Sequence, residues 1–238
     1  MPVFRLNRQP VFPPVEMSEE NGLLAVGGDL SPERLVLAYR QGIFPWYAEG
    51  EPILWWSPDP RFVLYPEKLK VARSMRQTLK KNLFAVTYDR DFQAVMEGCR
   101  ERRAKGDGTW ITDEMFEAYR RLHEEGLAHS VEVWSGGDLA GGLYGVSLGK
   151  CFFGESMFTR VSNASKAGFI ALTRTLQRLG FALIDCQVYT DHLLSLGAEM
   201  IPRPAFLDIL KGAAQGQTFQ GNWNRMEAFH ENHESGEN

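Results

Sequence analysis

The spacing of apolar and polar positions gives the second half of the chain a clear pattern. From His129 onward, the segments HSVEVW, DLAGGLYGVSLG and KCFFGESMF predict three strands joined by short turns, and hence an antiparallel meander. A helix is predicted over 164–179, and FALIDCQV predicts one more strand after it. Two short helices are expected near 191–196 and 204–212.

The first half is richer in proline and in loops. Its clearest helix has Ser31 as the N-cap, Pro32 at the first helical position and Gly42 after the last turn. Further helices are predicted at about 68–81, 91–103 and 112–125.

Strands beside several helices, without a regular βαβ repeat, indicate the α+β class. We expect a small, loop-rich N-terminal domain over 1–62 and a larger domain over 63–225. The polar residues 226–238 are expected to form a frayed tail.

Residues 42–66 crowd tryptophan, other aromatic residues and proline onto an irregular backbone. Proline at this density excludes a helix, and amphipathic rings on a stiff loop are typical of ligand-contacting surfaces. The basic segment 68–81 follows directly and places Arg73, Arg76 and Lys80 on one helical face. Stacking rings beside a basic stripe favour single-stranded or terminal nucleic acid. The alternative is an aromatic hinge between domains beside a solvated helix.

Composition limits the function classes. The net charge is only −4, so any contact with nucleic acid must be local. Cys99, Cys151 and Cys186 are an odd number of widely spaced thiols, which favours a reducing compartment over a disulfide framework. We find no metal-ligand spacing, no signal-peptide core and no apolar run of membrane-spanning length. A cytoplasmic protein without membrane contact is expected.

Polar residues within apolar strands mark a candidate site. Strand alternation places Asp185 and Gln187 on one face of FALIDCQV, and Glu155 is a lone acid within KCFFGESMF. Cys186 points to the other face and is interpreted as a core thiol. The alternative for both acids is a structural ion pair with Arg160, Lys166 or another cation.

The segment 103–108 fits the R-x-x-G-x-G pyrophosphate loop of acyl-CoA N-acetyltransferases. Such a loop works where a strand delivers it directly into a helix, whose free N–H groups hold the phosphates. Here a charged helical segment precedes the loop, so we interpret it as a surface loop.

Over residues 21–204 the chain resembles the bacterial leucyl/phenylalanyl-tRNA–protein transferases. The resemblance rests on NGLLAVGGDLSPERL, GIFPWY, ILWWSPDPR, GTWIT, AHSVEVW, GGLYGV, FFGESMF, NASK and LIDCQV, in this order. It implies an acetyltransferase-like larger domain with a mainly antiparallel sheet. It also implies transfer of leucine or phenylalanine, and less well methionine, from aminoacyl-tRNA to N-terminal Arg or Lys of proteins. The product would be a substrate of the N-degron degradation pathway.

The resemblance also implies roles for individual residues. Trp46 and Trp110 would flank the terminal adenosine of the aminoacyl-tRNA. The acceptor stem would be held by the basic residues Lys68, Arg73, Arg76, Lys80 and Lys81. An apolar pocket for the donor's side chain would be lined by Leu143, Phe152, Met157, Phe169, Leu172 and Ile184. Leu172 stands where an aromatic residue is expected in the family, so the preference among Leu, Phe and Met stays open.

The implied chemistry needs no cofactor and no metal, because the aminoacyl ester is already activated. Asp185 and Gln187 are assigned to the attacking amine, with Asp185 orienting Gln187 or helping to receive the proton. Glu155 would hold the ammonium of the aminoacyl group or the cationic acceptor. Proton transfer through a ribose hydroxyl of the tRNA is the alternative.

Two other functions are weighed against this one. A CoA-dependent N-acetyltransferase would bind acetyl-CoA through Gly106 and Gly108. A non-catalytic RNA-binding module would bind charged and uncharged tRNA alike. No pattern indicates a dimer interface, and a monomer is expected.

Overall fold

A computed structural model describes residues 3–104 and 111–230 of the 238-residue chain, with the side chains of 102–104 excepted. The first part forms a small four-stranded sheet and one helix. Strands β1 to β4 are arranged in the order β1-β2-β4-β3 and span Phe4–Leu6, Leu23–Gly27, Phe44–Pro45 and Leu54–Trp56. Helix α1, Pro32–Arg40, lies between β2 and β3 along the chain.

A seven-stranded sheet forms the centre of the molecule, in the order β11-β5-β10-β9-β8-β7-β6. The meander predicted after His129 is confirmed, because β7, β8 and β9 pair antiparallel in sequence order. The strands β5 to β11 span Arg61–Leu64, Ala85–Tyr88, Ala128–Ser135, Asp138–Leu148, Cys151–Thr159, Leu183–Gln187 and Glu199–Ile201.

Six further α-helices occur within the described part of the chain. The helices α2 to α7 span Arg73–Lys80, Phe92–Ala104, Asp113–Glu124, Ala164–Arg178, Asp191–Leu194 and Arg203–Ala213. Successive residues of the central strands enter different cores, since Phe153 packs in the core with α1, α3 and α4, whereas Phe152 packs in the core with α5. The N-terminal sheet adds Leu24 and Trp55 to the first of these cores.

The predicted α+β class is confirmed, and α1 begins after Ser31 with Pro32 at its first position. The basic helix is shorter than predicted: Lys68 ends a 3-10 turn, and α2 begins only at Arg73. One parallel pair of the central sheet was not foreseen, because β9, α5 and β10 form a βαβ unit. This unit brings the apolar strand 183–187 into the middle of the sheet, where both of its faces are covered.

The proposed boundary between residues 62 and 63 falls inside β5, which pairs with β10 and β11 in the central sheet. Of the proposed tail, residues 226–230 include a short 3-10 turn, and 231–238 lie outside the described residues. Across 3–104 and 111–230, no helix has the length and apolarity needed to cross a bilayer. Within the same residues, no group of three or more His, Cys, Asp or Glu side chains could hold a metal ion.

Candidate active site

Two irregularities in the central sheet bring Glu155 and Gln187 together. The ladder between β8 and β9 pairs Tyr144 with Ser156 and Gly145 with Gly154, so Glu155 is an extra residue in β9. A second shift, between Asp185 and Gln187, interrupts the ladder between β10 and β5. Such bulges re-aim side chains beside active sites. Because of them, Nε2 of Gln187 donates to Oε1 of Glu155 at 2.7 Å, although 32 residues separate the two in sequence.

The left-handed backbone of Gln187 belongs to the same irregularity. Its φ is +63°, a conformation that costs an L-residue about 1–2 kcal/mol. The strict alternation predicted for FALIDCQV therefore ends at Asp185, because the chain turns before Gln187. Strain of this kind persists where the surrounding contacts hold it in place.

Glu155 is almost fully buried and accepts three hydrogen bonds. The hydroxyl of Tyr39, on α1, donates to Oε1 at 2.7 Å, and the hydroxyl of Tyr119, on α4, donates to Oε2 at 2.8 Å. The third donor is Gln187. Burial is the largest influence and raises the pKa of Glu155 to about 7, whereas donation of these three hydrogen bonds to an ionised carboxylate would act in the opposite direction. A carboxyl with this pKa changes its charge near neutral pH.

Asp185 forms a buried ion pair with Arg61. The guanidinium donates from Nε to Oδ1 at 2.8 Å and from Nη2 to Oδ2 at 2.7 Å. Arg61 itself lies between the rings of Phe44 and Phe206, with its Cζ 4.7 and 4.8 Å from their centroids. Oδ1 of Asp185 also accepts the backbone N–H of Gln187 at 3.0 Å. Asp185 therefore fixes the strained turn from which the Gln187 side chain projects.

The ion-pair alternative considered for the two acids thus applies to Asp185, with Arg61 as the cation. Arg160 pairs instead with Glu101, at 3.1 Å. Among the described residues Glu155 has no cation partner, and its three donors are uncharged side chains. The two acids therefore differ in kind: one is neutralised within the fold, and the other is held by neutral donors.

A cavity of about 580 Å³ opens beside these groups. Glu155, Asp185 and Gln187 form one part of its wall, and apolar side chains form another. Five of the six residues predicted to form an apolar pocket line this cavity, namely Leu143, Phe152, Met157, Phe169 and Ile184. Leu172 is fully buried in the core with α5 and is not part of the cavity wall. Cys186 borders the cavity, but burial raises the pKa of its thiol far above neutral, in line with a core thiol.

The other predicted contact residues lie outside this cavity. The ring of Trp46 is 43% exposed and lies 6.1 Å from the ring of Trp56. Lys68 forms an ion pair with Glu199 of β11, whereas Arg73, Arg76, Lys80 and Lys81 are exposed on and after α2. Trp110 and the glycines of the R-x-x-G-x-G segment lie outside the described residues.

Sequence reasoning did not identify Tyr39, Tyr119 and Arg61 as parts of the site. A signal was available for the two tyrosines, because each lies on the buried face of its helix, where a hydroxyl needs a partner. Arg61 begins a buried strand, where a cation requires a buried anion. None of these signals indicates which residue is the partner, because that depends on the tertiary structure.

The raised pKa of Glu155 predicts a pH-dependent stability. The pKa of Glu155 is about 7 in the folded chain, whereas the ordinary value of 4.5 applies in the unfolded chain. The folded chain therefore binds this proton more tightly than the unfolded chain. The stabilisation is therefore complete below pH 4.5 and is lost as the pH rises through 7. Between pH 5 and 8 we expect the wild type to lose about 2 kcal/mol of unfolding free energy relative to Glu155→Gln. Urea unfolding of both proteins at the two pH values measures this difference, and parallel curves would contradict it.

Comparison of the sequence with known proteins assigns this chain to a family. The sequence model of leucyl/phenylalanyl-tRNA protein transferase matches residues 63–211, and that of the N-terminal domain of the same proteins matches 28–59. A leucyl/phenylalanyl-tRNA–protein transferase of Syntrophus aciditrophicus is 60% identical over 224 residues, which are 94% of each chain. Another, of Azotobacter vinelandii, is 60% identical over 201 residues, which are 84% of this chain and 89% of that one.

Solved structures give a much weaker likeness. An aminoglycoside acetyltransferase from an uncultured soil sample is 15% identical, with a TM-score of 0.38 over 48% of this chain and 84% of that one. L-PGS from Bacillus licheniformis is 10% identical, with a TM-score of 0.39 over 72% and 57%. Likeness at this level adds nothing to the α+β class that the described elements establish. The sequence matches, which extend over both sheets, show that the chain belongs to the leucyl/phenylalanyl-tRNA–protein transferase family.

Proposed function

We propose that this chain transfers leucine or phenylalanine, and less well methionine, from aminoacyl-tRNA to the α-amino group of an N-terminal Arg or Lys. The product then enters the N-degron pathway. The observation that carries the proposal is the cavity in which an apolar wall meets Glu155 and Gln187. Its volume of about 580 Å³ lies within the range of small-molecule sites, roughly 300–1,000 Å³. Identity of 60% to a transferase of this family over 94% of the chain supports the same reaction.

The apolar wall suits the side chain of the donor amino acid. Leu143 and Phe152 come from neighbouring central strands, and Phe169 comes from α5, which covers that face of the sheet. Hydrophobic contacts of this kind bind leucine, phenylalanine and methionine without strong discrimination, because one methylene changes affinity by only about 1–3 kcal/mol. Leu172 acts on selectivity only through packing behind the wall.

The polar end of the cavity suits the amine and the ester carbonyl. The nitrogen of the acceptor attacks the ester carbonyl carbon, the C–N bond forms, and the C–O bond to the tRNA ribose breaks. Because Nε2 of Gln187 donates to Glu155, the amide oxygen of Gln187 can accept a hydrogen bond from an N–H of the attacking amine and so align it. Asp185 orients Gln187 through its backbone N–H. Glu155 offers a carboxylate to the ammonium of the donor or to the cationic acceptor.

Two routes remain for the proton lost by the amine. Either the Asp185–Gln187 pair helps to receive it, or a ribose hydroxyl of the tRNA carries it to the leaving oxygen. Both oxygens of Asp185 already accept hydrogen bonds from Arg61. This occupancy favours a positioning role for Asp185 over that of proton acceptor.

The tRNA is proposed to cross the exposed surface of α2. Arg73, Arg76, Lys80 and Lys81 would contact the acceptor stem, and Trp46 with Trp110 would flank the terminal adenosine. Lys68 contributes less, because it already pairs with Glu199. A patch of this size implies strong salt dependence and little readout of base sequence. We further propose that the protein acts as a cytoplasmic monomer without a cofactor.

The test is transfer of labelled leucine from Leu-tRNA to a peptide that begins with arginine, without ATP or CoA. A peptide of the same sequence that begins with citrulline keeps the shape of the side chain and removes its charge, and a glycine-initiated peptide removes the side chain. We expect transfer to the arginine peptide about ten- to a hundredfold faster than to either control, since a charge-assisted pair contributes about 1.5–3 kcal/mol.

Other outcomes would point to other functions. Equal binding of charged and uncharged tRNA with no transfer to any peptide would favour a non-catalytic RNA-binding module. Acetylation of the arginine peptide from acetyl-CoA would instead support the CoA-dependent reaction.

A further inference from the structure

Four oxygen atoms form a closed ring around the carboxyl of Glu155. Oε1 contacts the Tyr39 hydroxyl at 2.7 Å, and Oε2 contacts the Tyr119 hydroxyl at 2.8 Å. The two hydroxyls also form a short hydrogen bond with each other. Both tyrosines are fully buried. Water therefore cannot bridge the two tyrosine hydroxyls without opening the ring.

The number of available protons decides in which charge state of Glu155 every contact of this ring is a hydrogen bond. Three oxygen–oxygen contacts need three protons, and the two tyrosines supply only two. If Glu155 is ionised, both hydroxyls donate to the carboxylate, and the Tyr39 and Tyr119 oxygens face each other with no proton between them. If Glu155 is neutral, every contact holds one proton, and the ring is complete.

The position of the third proton follows from Gln187. Because Gln187 Nε2 donates to Oε1, this oxygen is the carbonyl end of a neutral carboxyl and Oε2 carries the proton. In the neutral state the direction of the Tyr119 contact is therefore reversed: Oε2–H donates to Tyr119, Tyr119 donates to Tyr39, and Tyr39 donates to Oε1. Hydrogen bonds in such a closed chain polarise and strengthen one another.

We propose that Glu155, Tyr39 and Tyr119 hold one proton in the free protein and release it to solvent when a cationic acceptor N-terminus binds. The Oε2–H bond breaks, the proton passes to water, and the carboxylate that remains pairs with the acceptor's cation. Acceptor binding is thus coupled to the loss of one proton. The binding half of this proposal rests on the proposed function, whereas the protonation of the free protein does not.

The groups around the ring agree with a neutral carboxyl. On β10, the negative charge of Asp185 disfavours a second one on Glu155, and Arg61 on β5 is committed to Asp185 by two hydrogen bonds. Tyr144 on β8 faces Tyr119, with the ring centroids 5.5 Å apart. Lys166 on α5 and His192 on α6 line the same cavity as Glu155. Burial raises the pKa of Glu155 to about 7, and it raises the pKa of both ring tyrosines well above their usual value.

The first experiment titrates Glu155 in the free protein, without tRNA or peptide. Infrared difference spectra between the wild type and Glu155→Gln follow the carbonyl stretch of the protonated carboxyl from pH 5 to 9. We expect this band to be present at pH 5 and to disappear as the pH rises, with a midpoint near pH 7. Absence of the band at every pH would overturn the proposal.

Removal of one tyrosine hydroxyl distinguishes a closed ring from two tyrosines that donate independently to Glu155. In Tyr39→Phe or Tyr119→Phe, the remaining hydroxyl satisfies an ionised carboxylate without a bare oxygen–oxygen contact. The midpoint should therefore fall, by about half a pH unit or more. If the tyrosines only donate to a carboxylate, the loss of either raises the midpoint, and this result would contradict the ring. Tyr88→Phe is the matched control, because its buried hydroxyl contacts Thr175, away from Glu155, and the midpoint should not move.

The second experiment measures proton release by calorimetry, with the arginine-initiated peptide in buffers that differ in ionisation enthalpy. We expect about one proton released at pH 6 and almost none at pH 8.5, with affinity that rises about tenfold per pH unit below 7. Glu155→Gln should show neither effect. Binding of the peptide at pH 6 without proton release would overturn the coupling even where leucine transfer is observed. Failure of transfer in the presence of the infrared titration would count against the proposed function alone.

Discussion

Asp185→Asn is expected to lower the unfolding free energy by about 3–5 kcal/mol, because it leaves the Arg61 guanidinium buried without a counter-charge. Arg61 is 1% exposed and its partner is fully buried, so water cannot take the place of the lost carboxylate. Arg61→Met should be similarly destabilising, since it leaves the buried anion unpaired. Denaturant unfolding of the single variants measures both costs. A loss below about 1 kcal/mol, typical of exposed pairs, would show that the pair is solvated in solution.

The double variant Arg61→Met/Asp185→Asn is the informative control. It removes both charges, fills the space between Phe44 and Phe206 with an apolar chain, and keeps an oxygen to accept the N–H of Gln187. Most of the lost stability should return, because replacement of a buried ion pair by neutral groups is often close to neutral. Comparison of the four proteins gives a coupling energy that a single substitution cannot give.

The same double variant separates the two roles considered for Asp185. If Asp185 acts only by orienting Gln187, turnover at saturating substrate should recover by about tenfold or more over Asp185→Asn. If its negative charge assists proton transfer, turnover stays low although the fold is restored. The occupancy of both carboxylate oxygens leads us to expect recovery. The single variant alone would mislead, since loss of activity would follow from misfolding under either role.

Local patterns were sufficient for much of the fold. The meander, α1 and the strand 183–187 each depend on features within about fifteen residues, such as alternation, an N-cap or a closing glycine. The parallel pairing of β9 with β10 depends on where α5 packs, so no local pattern indicates it. For the same reason β5 could not be assigned to the central sheet. Its partners β10 and β11 lie more than a hundred residues away.

The candidate site shows the same division more sharply. Glu155, Asp185 and Gln187 stand out in sequence, because polar residues in apolar strands need partners. Their partners were not foreseen, since the Tyr39 hydroxyl reaches Glu155 across 116 residues and Arg61 reaches Asp185 across 124. The bulges were hidden as well. A bulge shows only when the partner strand is known, and strict alternation had placed Asp185 and Gln187 on one face.

The strained backbone at Gln187 leads to the second large effect. A glycine at this position adopts φ +63° without cost, which recovers about 1–2 kcal/mol, but it forfeits the hydrogen bond to Glu155, worth about 1 kcal/mol. These terms nearly cancel. Gln187→Gly should therefore unfold within about 1 kcal/mol of the wild type. Gln187→Ala loses the same side chain and keeps the strain, so it should be less stable than the glycine variant by about 1 kcal/mol.

Both variants should nevertheless lose about 10²–10³-fold in turnover, the usual consequence of removing one preorganised polar group from a reacting centre. The measurement is single-turnover transfer of leucine to the arginine peptide, with the stability of each variant determined in the same buffer. Equal losses in the glycine and alanine variants would assign the effect to the missing amide, because only the backbone strain differs between them. If Gln187→Gly kept its turnover and Gln187→Ala did not, the side chain would be dispensable, and the loss in the alanine variant would mean that alanine fails to hold the left-handed turn. The expected combination, an unchanged fold with a lost reaction, identifies Gln187 as a residue whose backbone strain is retained for chemistry and not for stability.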